Sequence, residues 1–521
     1  MLALLRFLSV ALMLASPGLA QAGRTFALVI GVNDYRFVPV LDGARDDARD
    51  ISSALGRMGA DQIVTLVDAD VTKQNIVQAW HLLASQAKAG DVIFMSYAGH
   101  GAQAPERVAG SEKDKLDEFW VLPGFDPKNI SGTWHETVFD NELHQWFSEV
   151  SSRGVHVVYV SDSCHAGGMD RAVTGKFRYV EFGKDRLLGE LISLMLKEQQ
   201  PEPTVESVLP ENVTLLAATA EALPVPEVVI NGKPRGALSW SVARALEGMA
   251  DRDGDGALMR HELEDYVFAT VRMRSESLQT PVFTPVAARG SRELLLSLKP
   301  DGEMLVASRP AGQTGQNPIP VARELGFTPV LTVSVEGSAT RPENTVEGKH
   351  PYVWDAGKGV FKTPNGDLAA ENISPFTVND VVQKYILLDF LQAMATRNTS
   401  LVRIDPEKPL YYANEKIKFD AEPGKYSNTI VFNLANTGEV QFLDMVLNGE
   451  PVKKTFLREM RVVPPFGSDH LVEISSDEPL EAVGRAMERG VAPKELLQML
   501  TSRIDGKIAS IAIIPIYTRA R

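Results

Sequence analysis

Short apolar runs alternate with amphipathic stretches in the first half of the chain, and this alternation predicts its fold. The apolar runs predict strands at residues 25–32, 62–67, 91–97, 155–160 and 213–219. The amphipathic stretches predict helices at residues 42–58, 72–89, 141–151 and 239–249. Continuous apolar strands separated by helices are typical of an α/β fold with a mainly parallel sheet covered on both faces. Ligands bind such sheets at the carboxyl ends of the strands.

The second half of the chain has a different pattern. A Pro- and Gly-rich stretch at residues 299–320 predicts an interdomain linker, which we place at 298–325. Beyond it, the pattern predicts strands at 429–434, 440–446 and 508–516 and a helix at 492–502. We therefore expect an N-terminal domain over residues 24–297 and a C-terminal accessory domain, β-rich or α+β, over residues 326–521.

The first 22 residues have the pattern of a secretory signal peptide. Arg6 precedes an apolar stretch at 7–14, and Ala20-Gln-Ala22 is a small-x-small cleavage site. An uncleaved membrane anchor is the alternative, but the stretch is short and Pro17 soon interrupts it. We expect a bacterial protein that is exported to the periplasm or secreted, with no stable membrane span after cleavage.

Net charge and cysteine content narrow the range of possible functions. The formal net charge is −14 and no basic stripe is present, which argues against a nucleic-acid partner. The chain has one cysteine, Cys164, which cannot form a disulfide within its own chain. In an oxidising compartment such a thiol is either buried and inert or kept for chemistry.

Cys164 and one histidine follow two of the predicted strands directly. Cys164 lies in Asp162-Ser-Cys-His-Ala-Gly167, and His100 lies in Ala98-Gly-His-Gly101. Two such strand ends can form a Cys–His pair, in which an imidazole assists a nucleophilic thiolate. His165 is the alternative base, although neighbouring side chains of an extended segment diverge. The simplest alternative for Cys164 is a small buried side chain at a strand end.

These motifs resemble those of the caspase and metacaspase family. The stretches Ala27-Leu-Val-Ile-Gly-Val-Asn-Asp-Tyr35 and Leu41-Asp-Gly-Ala-Arg-Asp-Asp-Ala48 share the resemblance, which covers residues 24–297. It implies a caspase-like fold and a cysteine endopeptidase, with Cys164 as nucleophile and His100 as general acid and base. It also implies that the backbone N–H groups of Gly101 and Cys164 form the oxyanion hole. Residues 427–440 resemble an uncharacterised C-terminal module of bacterial proteins.

The same resemblance implies a preference for basic substrates. Asp162 and Asp47 occupy the positions that line the primary specificity pocket of metacaspases, where two carboxylates suit a guanidinium or an ammonium. Asp46 is a competing assignment, and Asp47 could instead be a solvated acid at a helix start. We expect cleavage after Arg or Lys in proteins or peptides.

Residues 169–211 are polar and rich in Lys and Arg, which predicts an exposed insertion. Such segments are where proteolysis concentrates, so we expect self-cleavage there. The candidate sites are Arg171, Lys176, Arg178, Lys184 and Arg186. An ordered surface segment that is never cut is the alternative.

Residues 251–262 match the twelve-residue EF-hand calcium loop. Gly256 provides the sharp turn of that motif. The expected calcium ligands are Asp251, Asp253, Asp255, the Ala257 carbonyl and a bidentate Glu262. An acidic turn without an ion is the alternative, and we expect no organic cofactor. For the whole protein, a catalytically vestigial scaffold and an acyl-transfer activity (ligase or transpeptidase) on the same dyad remain alternatives to a peptidase.

Overall fold

A central sheet, buried on both faces, organises the N-terminal domain. The computed structural model describes residues 23–105, 115–164, 176–180, 209–210, 212–219, 225–298, 327–395, 402–421, 426–447, 456–504 and 509–521. The N-terminal strands are β1 (Thr25–Gly31), β2 (Gln62–Val67), β3 (Val92–Ala98), β4 (Gly101–Pro105), β5 (Leu116–Val121), β6 (Thr137–Phe139), β7 (His156–Asp162), β8 (Val213–Ala217), β9 (Val228–Ile230), β10 (Lys233–Arg235), β11 (Ala257–Met259), β12 (Val282–Thr284) and β13 (Leu294–Ser297). The helices are α1 (Ala44–Arg57), α2 (Lys73–Gln86), α3 (Ile130–Thr133), α4 (Asp140–Ser151), α5 (Ala237–Arg244) and α6 (Arg260–Arg274).

The central sheet has six strands in the order β12-β8-β7-β3-β1-β2. Neighbours run parallel except β12, which pairs antiparallel with β8 at one edge. Because alternate strand residues point to opposite faces, each face has its own core. Trp80 of α2 and Phe147 of α4 belong to one core, and Leu55 of α1 and Leu238 of α5 to the other. The expected α/β fold, with helices on both faces of a mainly parallel sheet, is confirmed.

Helix ends differ from the sequence expectation by one to a few residues. The helix expected at 72–89 runs from Lys73 to Gln86. Thr72 is its N-cap, because its hydroxyl oxygen accepts a hydrogen bond of 3.1 Å from the backbone N–H of Asn75. The helix ends because Ala87 adopts an extended backbone conformation.

Part of the expected exposed insertion is buried. Residues 176–180 lie against the carboxyl edge of the central sheet, and the Arg178 side chain is fully buried. The expectation of an exposed segment is therefore wrong for Arg178, because contacts with distant parts of the chain cover it. The other candidate cleavage sites at 171, 184 and 186 lie outside the described residues, as do residues 1–22 and nearly all of the linker.

The C-terminal domain is α+β and rich in strands. Its strands are β14 (Leu331–Glu336), β15 (Thr345–Val346), β16 (Tyr352–Asp355), β17 (Val360–Lys362), β18 (Leu368–Ala370), β19 (Val402–Asp405), β20 (Tyr411–Tyr412), β21 (Lys416–Ala421), β22 (Asn428–Leu434), β23 (Val440–Val446), β24 (Phe456–Arg461), β25 (Ser468–Ser476) and β26 (Ala509–Arg519). Its helices are α7 (Val378–Ala395), α8 (Glu481–Glu488) and α9 (Pro493–Ile504). Helix α7 packs in the core between β-sheet elements, and the sequence pattern missed it because its buried positions lie on all sides.

The two domains meet at the end of α6. Just beyond this helix, the Glu276 carboxylate contacts His470 Nε2 at 2.9 Å and accepts a hydrogen bond of 3.2 Å from the Tyr517 hydroxyl. Ser277 donates a hydrogen bond of 3.1 Å to the Pro515 carbonyl. Among the helices that the structure describes, none has the length and apolar character needed to cross a bilayer.

Candidate active site

The two candidate catalytic residues lie next to each other at the carboxyl edge of the sheet. Strands β3 and β7 pair in parallel, with Ala98 opposite Asp162. His100 follows Ala98 by two residues, and Cys164 follows Asp162 by two. The structure therefore brings both motifs to one place, as the positions of the two strand ends predict. Both side chains are about 1% exposed.

His100 is held in one orientation by residues that the sequence analysis did not single out. Its Nε2 atom lies 2.7 Å from the Pro39 carbonyl oxygen, which can only accept a hydrogen bond, so Nε2 carries the proton. Its backbone N–H donates to the Tyr35 hydroxyl at 2.8 Å, and the Tyr35 ring packs on the imidazole with centroids 4.7 Å apart. Nδ1 has no hydrogen-bond partner within the described part of the chain.

The environment keeps this imidazole neutral. Burial lowers the pKa of His100 to about 4, and the Pro39 carbonyl only partly offsets that effect. At neutral pH the ring therefore has a basic nitrogen at Nδ1, which is the form that a general base requires. Gly99 makes the turn before His100 possible, since a Cβ there would lie 2.7 Å from the hydroxyl oxygens of both Tyr35 and Tyr97.

Two backbone N–H groups converge on one carbonyl oxygen at the site. The N–H of Cys164 donates to the Arg178 carbonyl oxygen at 3.0 Å, and the N–H of Gly101 donates to the same oxygen at 3.1 Å. These are the two groups expected to form the oxyanion hole. Two convergent donors at this distance have the geometry that stabilises a developing oxyanion in acyl transfer.

The side chain of the same arginine lies between the two expected pocket carboxylates. The Arg178 guanidinium contacts the Asp47 carboxylate and lies 3.1 Å from Asp162 Oδ2. All three side chains are fully buried. A third carboxylate, Glu227, lies 3.5 Å from the guanidinium, and the sequence analysis missed it because no motif marks it. Asp46 instead pairs with Arg235 at 3.1 Å and does not line this pocket.

The carboxylates determine the pKa values of the charged groups in the pocket. Burial alone would lower the pKa of Arg178, but Asp162, Asp47 and Glu227 outweigh it and raise that pKa above its usual value. Burial raises the pKa of Asp47 to about 7, with Asp162 adding to the effect and Arg178 opposing it. The pocket thus holds a guanidinium firmly, while one of its own carboxylates titrates near neutral pH.

The start of helix α5 closes the pocket. The backbone N–H of Gly236 donates to Asp47 Oδ2 at 2.9 Å, and that of Ser239 donates to Asp162 Oδ2 at 2.9 Å. Both carboxylates therefore accept from the N-terminal turn of a helix, where anions are favoured. A Cβ at position 236 would collide with the Asp162 carboxylate and the Arg178 guanidinium, so only glycine leaves room for the arginine.

Residues 176–180 cross the site with β-bridges at Phe177 and Tyr179 and a bend at Arg178. Phe177 pairs antiparallel with Pro226, the Arg178 N–H donates to the Val225 carbonyl at 2.9 Å, and the Glu227 N–H donates to the Lys176 carbonyl at 2.9 Å. On the other side of Arg178, the Val180 N–H donates to the Gly101 carbonyl at 3.1 Å. The part of the segment that leads to Arg178 therefore binds by strand addition, a mode in which peptides pair with the edge of a protein.

The acidic stretch at residues 251–262 includes strand β11 and runs into the first turn of helix α6. The Asp251 carboxylate accepts backbone hydrogen bonds from residues 254, 255 and 256, and Gly256 has φ of +78°. The side chains of Asp251, Asp253 and Asp255 offer oxygen atoms within 4.8 Å of one another. Glu262 folds back onto the loop and accepts from the N–H groups of Arg252 and Met259 at 3.0 and 3.1 Å. This set of hard oxygen donors fits the ligand chemistry of calcium.

The comparisons with known proteins agree with this geometry. Residues 26–171 match the family model of the metacaspase peptidase C14 domain. The N-terminal domain is metacaspase-like. Curated metacaspases are also similar to it: Metacaspase-1 of Coccidioides immitis is 27% identical over 262 residues, covering 43% of this chain and 55% of that protein. Metacaspase-1B of Neurospora crassa is 34% identical over 154 residues, covering 28% of this chain and 34% of that protein.

The extent of these matches is limited. This chain covers between about a third and just over half of the length of these relatives. A solved structure of a Geobacter sulfurreducens protein is 20% identical, covers 53% of this chain and all of its own, and has a TM-score of 0.38. A likeness at that TM-score adds nothing to the fold described above. The metacaspase-like assignment therefore applies to the N-terminal domain.

Proposed function

We propose that this protein is an exported cysteine endopeptidase of the metacaspase type that cleaves after Arg or Lys. The proposal rests on one observation above all. Arg178 lies across the site with its carbonyl oxygen between the Cys164 and Gly101 N–H groups and its guanidinium between Asp47 and Asp162. A substrate residue on the amino side of a scissile bond has to meet the same two requirements.

The chemistry follows from these positions. His100 Nδ1 takes the thiol proton as Cys164 Sγ forms a bond to the carbonyl carbon, and the carbonyl oxygen becomes an oxyanion facing the two N–H groups. His100 then gives the proton to the leaving amine as the C–N bond breaks. Water hydrolyses the thioester with His100 again as base. The Pro39 carbonyl keeps the ring in the tautomer that these steps require.

The bound segment is itself a candidate substrate. Among the five basic residues expected as self-cleavage sites, Arg178 has the contacts of a bound substrate residue, so the bond from Arg178 to Tyr179 is the proposed cut. Cleavage gives one fragment that ends at Arg178 and another that begins at Tyr179. We expect them to stay associated, because β8 and β12 of the second fragment belong to the same central sheet as β7.

The decisive experiment combines peptide cleavage with analysis of the protein itself. Wild type should cleave fluorogenic peptides that end in Arg or Lys and leave matching Asp peptides intact. Cys164→Ala and His100→Ala should each abolish turnover with unchanged circular dichroism. Mass spectrometry of wild type should find a fragment that begins at Tyr179, which should be absent from Cys164→Ala and from Arg178→Gln.

Other outcomes would favour the competing functions. Full activity of purified Cys164→Ala would disprove the nucleophile assignment, and preferential cleavage after Asp would disprove the specificity. An inert wild type that binds basic peptides without cutting them would favour a scaffold protein. Formation of a new amide bond with an added amine nucleophile, in excess of hydrolysis, would favour a ligase or transpeptidase.

Two further parts of the proposal are calcium binding and export. Asp251, Asp253, Asp255, the Ala257 carbonyl and Glu262 would hold the calcium ion, and the ion would tie the loop to the start of α6. The loop strand β11 pairs with β13, which holds one end of the loop in place. Export would be tested by fractionating the source cells and finding whether the mature N-terminus lies near Gly23.

A further inference from the structure

A second basic side chain of the bound segment contacts a carboxylate next to the primary pocket. Lys176 Nζ lies 2.9 Å from Asp42 Oδ2, and the two side chains are 39% and 45% exposed. Lys176 precedes Arg178 by two residues. In the register of the proposed cleavage, Arg178 is P1, Phe177 is P2 and Lys176 is P3.

The backbone fixes this register. On the amino side of the bend, Phe177 pairs antiparallel with Pro226, and because side chains alternate along a paired strand, P1 and P3 project on the same side of the segment. The Arg178 N–H donates to the Val225 carbonyl, and the Glu227 N–H donates to the Lys176 carbonyl. These two hydrogen bonds fix the antiparallel register of the segment against residues 225–227. A peptide bound with arginine at P1 therefore presents its P3 side chain where Lys176 lies.

Asp42 is also held in place. The backbone N–H groups of Asp42 and Gly43 donate to the two carboxylate oxygens of Glu227 at 2.8 and 2.7 Å. Glu227 thus connects three parts of the site: it contacts the P1 guanidinium, binds the P3 carbonyl through its backbone, and fixes the backbone of the residue that contacts the P3 side chain. The P3 contact is therefore connected to the P1 pocket through Glu227.

We propose that Asp42 forms a second recognition site for a basic side chain, so that the enzyme prefers substrates with Lys or Arg two residues before the cleaved Arg or Lys. This inference rests on the proposed function, since P3 has meaning only for a peptidase that cuts after a basic P1 residue. The preferred substrate class is a peptide of the form Lys-x-Arg, which is also the sequence of the bound segment.

The partial exposure of this contact sets the expected size of the preference. Exposed ion pairs contribute little, so a lysine at P3 should raise kcat/KM by about two- to fivefold over alanine at low salt. The preference should shrink in 1 M NaCl, because salt screens exposed charges. The P1 preference involves fully buried charges and should survive the same salt concentration.

The test compares three fluorogenic peptides that differ only at P3: acetyl-Lys-Phe-Arg, acetyl-Ala-Phe-Arg and acetyl-Glu-Phe-Arg amides. The readout is the ratio of kcat/KM values within each variant, which cancels any change in overall activity. Wild type should rank Lys above Ala above Glu. Asp42→Asn should bring the ratios close to one, and Asp42→Lys should reverse the order of Lys and Glu. Asp34→Asn removes a charge from a more exposed acid of the same loop and should keep the wild-type ratios.

The outcomes separate this inference from the proposed function. Equal cleavage of all three peptides by wild type would overturn the P3 site and leave the basic P1 specificity intact. If none is cut, the proposed function fails, and calorimetry with the same peptides on the double variant Cys164→Ala, Arg178→Gln decides the P3 question. Tighter binding of the Lys peptide, lost in Asp42→Asn, would support the site, and equal affinities would overturn it.

Discussion

The charge on Asp162 should decide whether the pocket accepts a basic side chain. The proposed change is Asp162→Asn, which keeps the shape of the side chain and an oxygen that can accept from the Ser239 N–H. It removes one negative charge that lies 3.1 Å from the guanidinium in a fully buried site. Because Arg178 fills the pocket of the uncut chain, the change should be made in an Arg178→Gln background, where added substrate competes with no internal arginine.

The magnitude follows from burial. Removing one partner of a buried, hydrogen-bonded charge pair costs about 2–5 kcal/mol. Since about 1.4 kcal/mol corresponds to a factor of ten, kcat/KM for an Arg peptide should fall by at least about 30-fold. Asp47 and Glu227 still contact the guanidinium, so we expect the lower end of this range.

The assay is initial-rate cleavage of an Arg peptide by Asp162→Asn and by Asp46→Asn, which makes the same change in net charge. Asp46 is 39% exposed and pairs with Arg235, so its loss should change the rate less than about threefold. Thermal unfolding and the rate of Cys164 alkylation would show that both variants are folded. If the two variants lose activity equally, or if Asp162→Asn loses less than threefold, the pocket assignment is wrong.

Three further predictions concern the pH dependence of cleavage, the room for a side chain at position 236, and calcium binding. Burial raises the pKa of Asp47 to about 7 although the Arg178 guanidinium opposes the shift, so in a pocket that Arg178 has left, kcat/KM for Arg peptides should fall as the pH drops through a midpoint no lower than about 7 and that carboxylate becomes neutral; Asp47→Asn should lack this transition, and its persistence there would refute the reasoning. Gly236→Ala should lower kcat/KM for Arg peptides by at least about fivefold, since overpacking costs about 1–3 kcal/mol, whereas Gly56→Ala, where a Cβ meets only one atom at 3.9 Å, should have little effect. Calcium in excess over EDTA should raise the unfolding temperature of wild type, because a ligand of the folded state stabilises it; Asp253→Ala should reduce this shift and Asp265→Asn should preserve it, and an equal shift in all three proteins would exclude the loop as the calcium site.

The positions of the catalytic candidates could be predicted because their signals are local. Uninterrupted apolar runs specify buried parallel strands, and residues directly after two such runs must emerge at the same edge. His100 and Cys164 therefore stand out without any knowledge of distant contacts. The cap that Thr72 forms on helix α2 is local in the same sense, since an N-cap acts within the first turn of its own helix.

Other features of the site depend on contacts that the sequence pattern does not encode. Arg178 lies in a stretch that is polar and basic, and such stretches are usually solvated. Its burial is tolerated only because carboxylates from three distant parts of the chain, Asp47, Asp162 and Glu227, surround it. Pro39 acts through its backbone carbonyl, which every residue type has. The identity of the residue at position 39 therefore gives no sign of its role.

In the C-terminal domain, too, some elements could be predicted from local sequence patterns and others could not. Strand β22 was predicted because its alternate residues Ile430, Phe432 and Leu434 are apolar, and β23 because Val440, Phe442 and Val446 follow the same period despite Asp444. Helix α7 was not, because a helix that is buried on all sides has no polar face and hence no helical period to detect. The sequence by itself determined which residues can react and which strands carry them. The tertiary structure decided which charges surround Arg178, because the free energy of a buried ion depends on partners that only folding brings together.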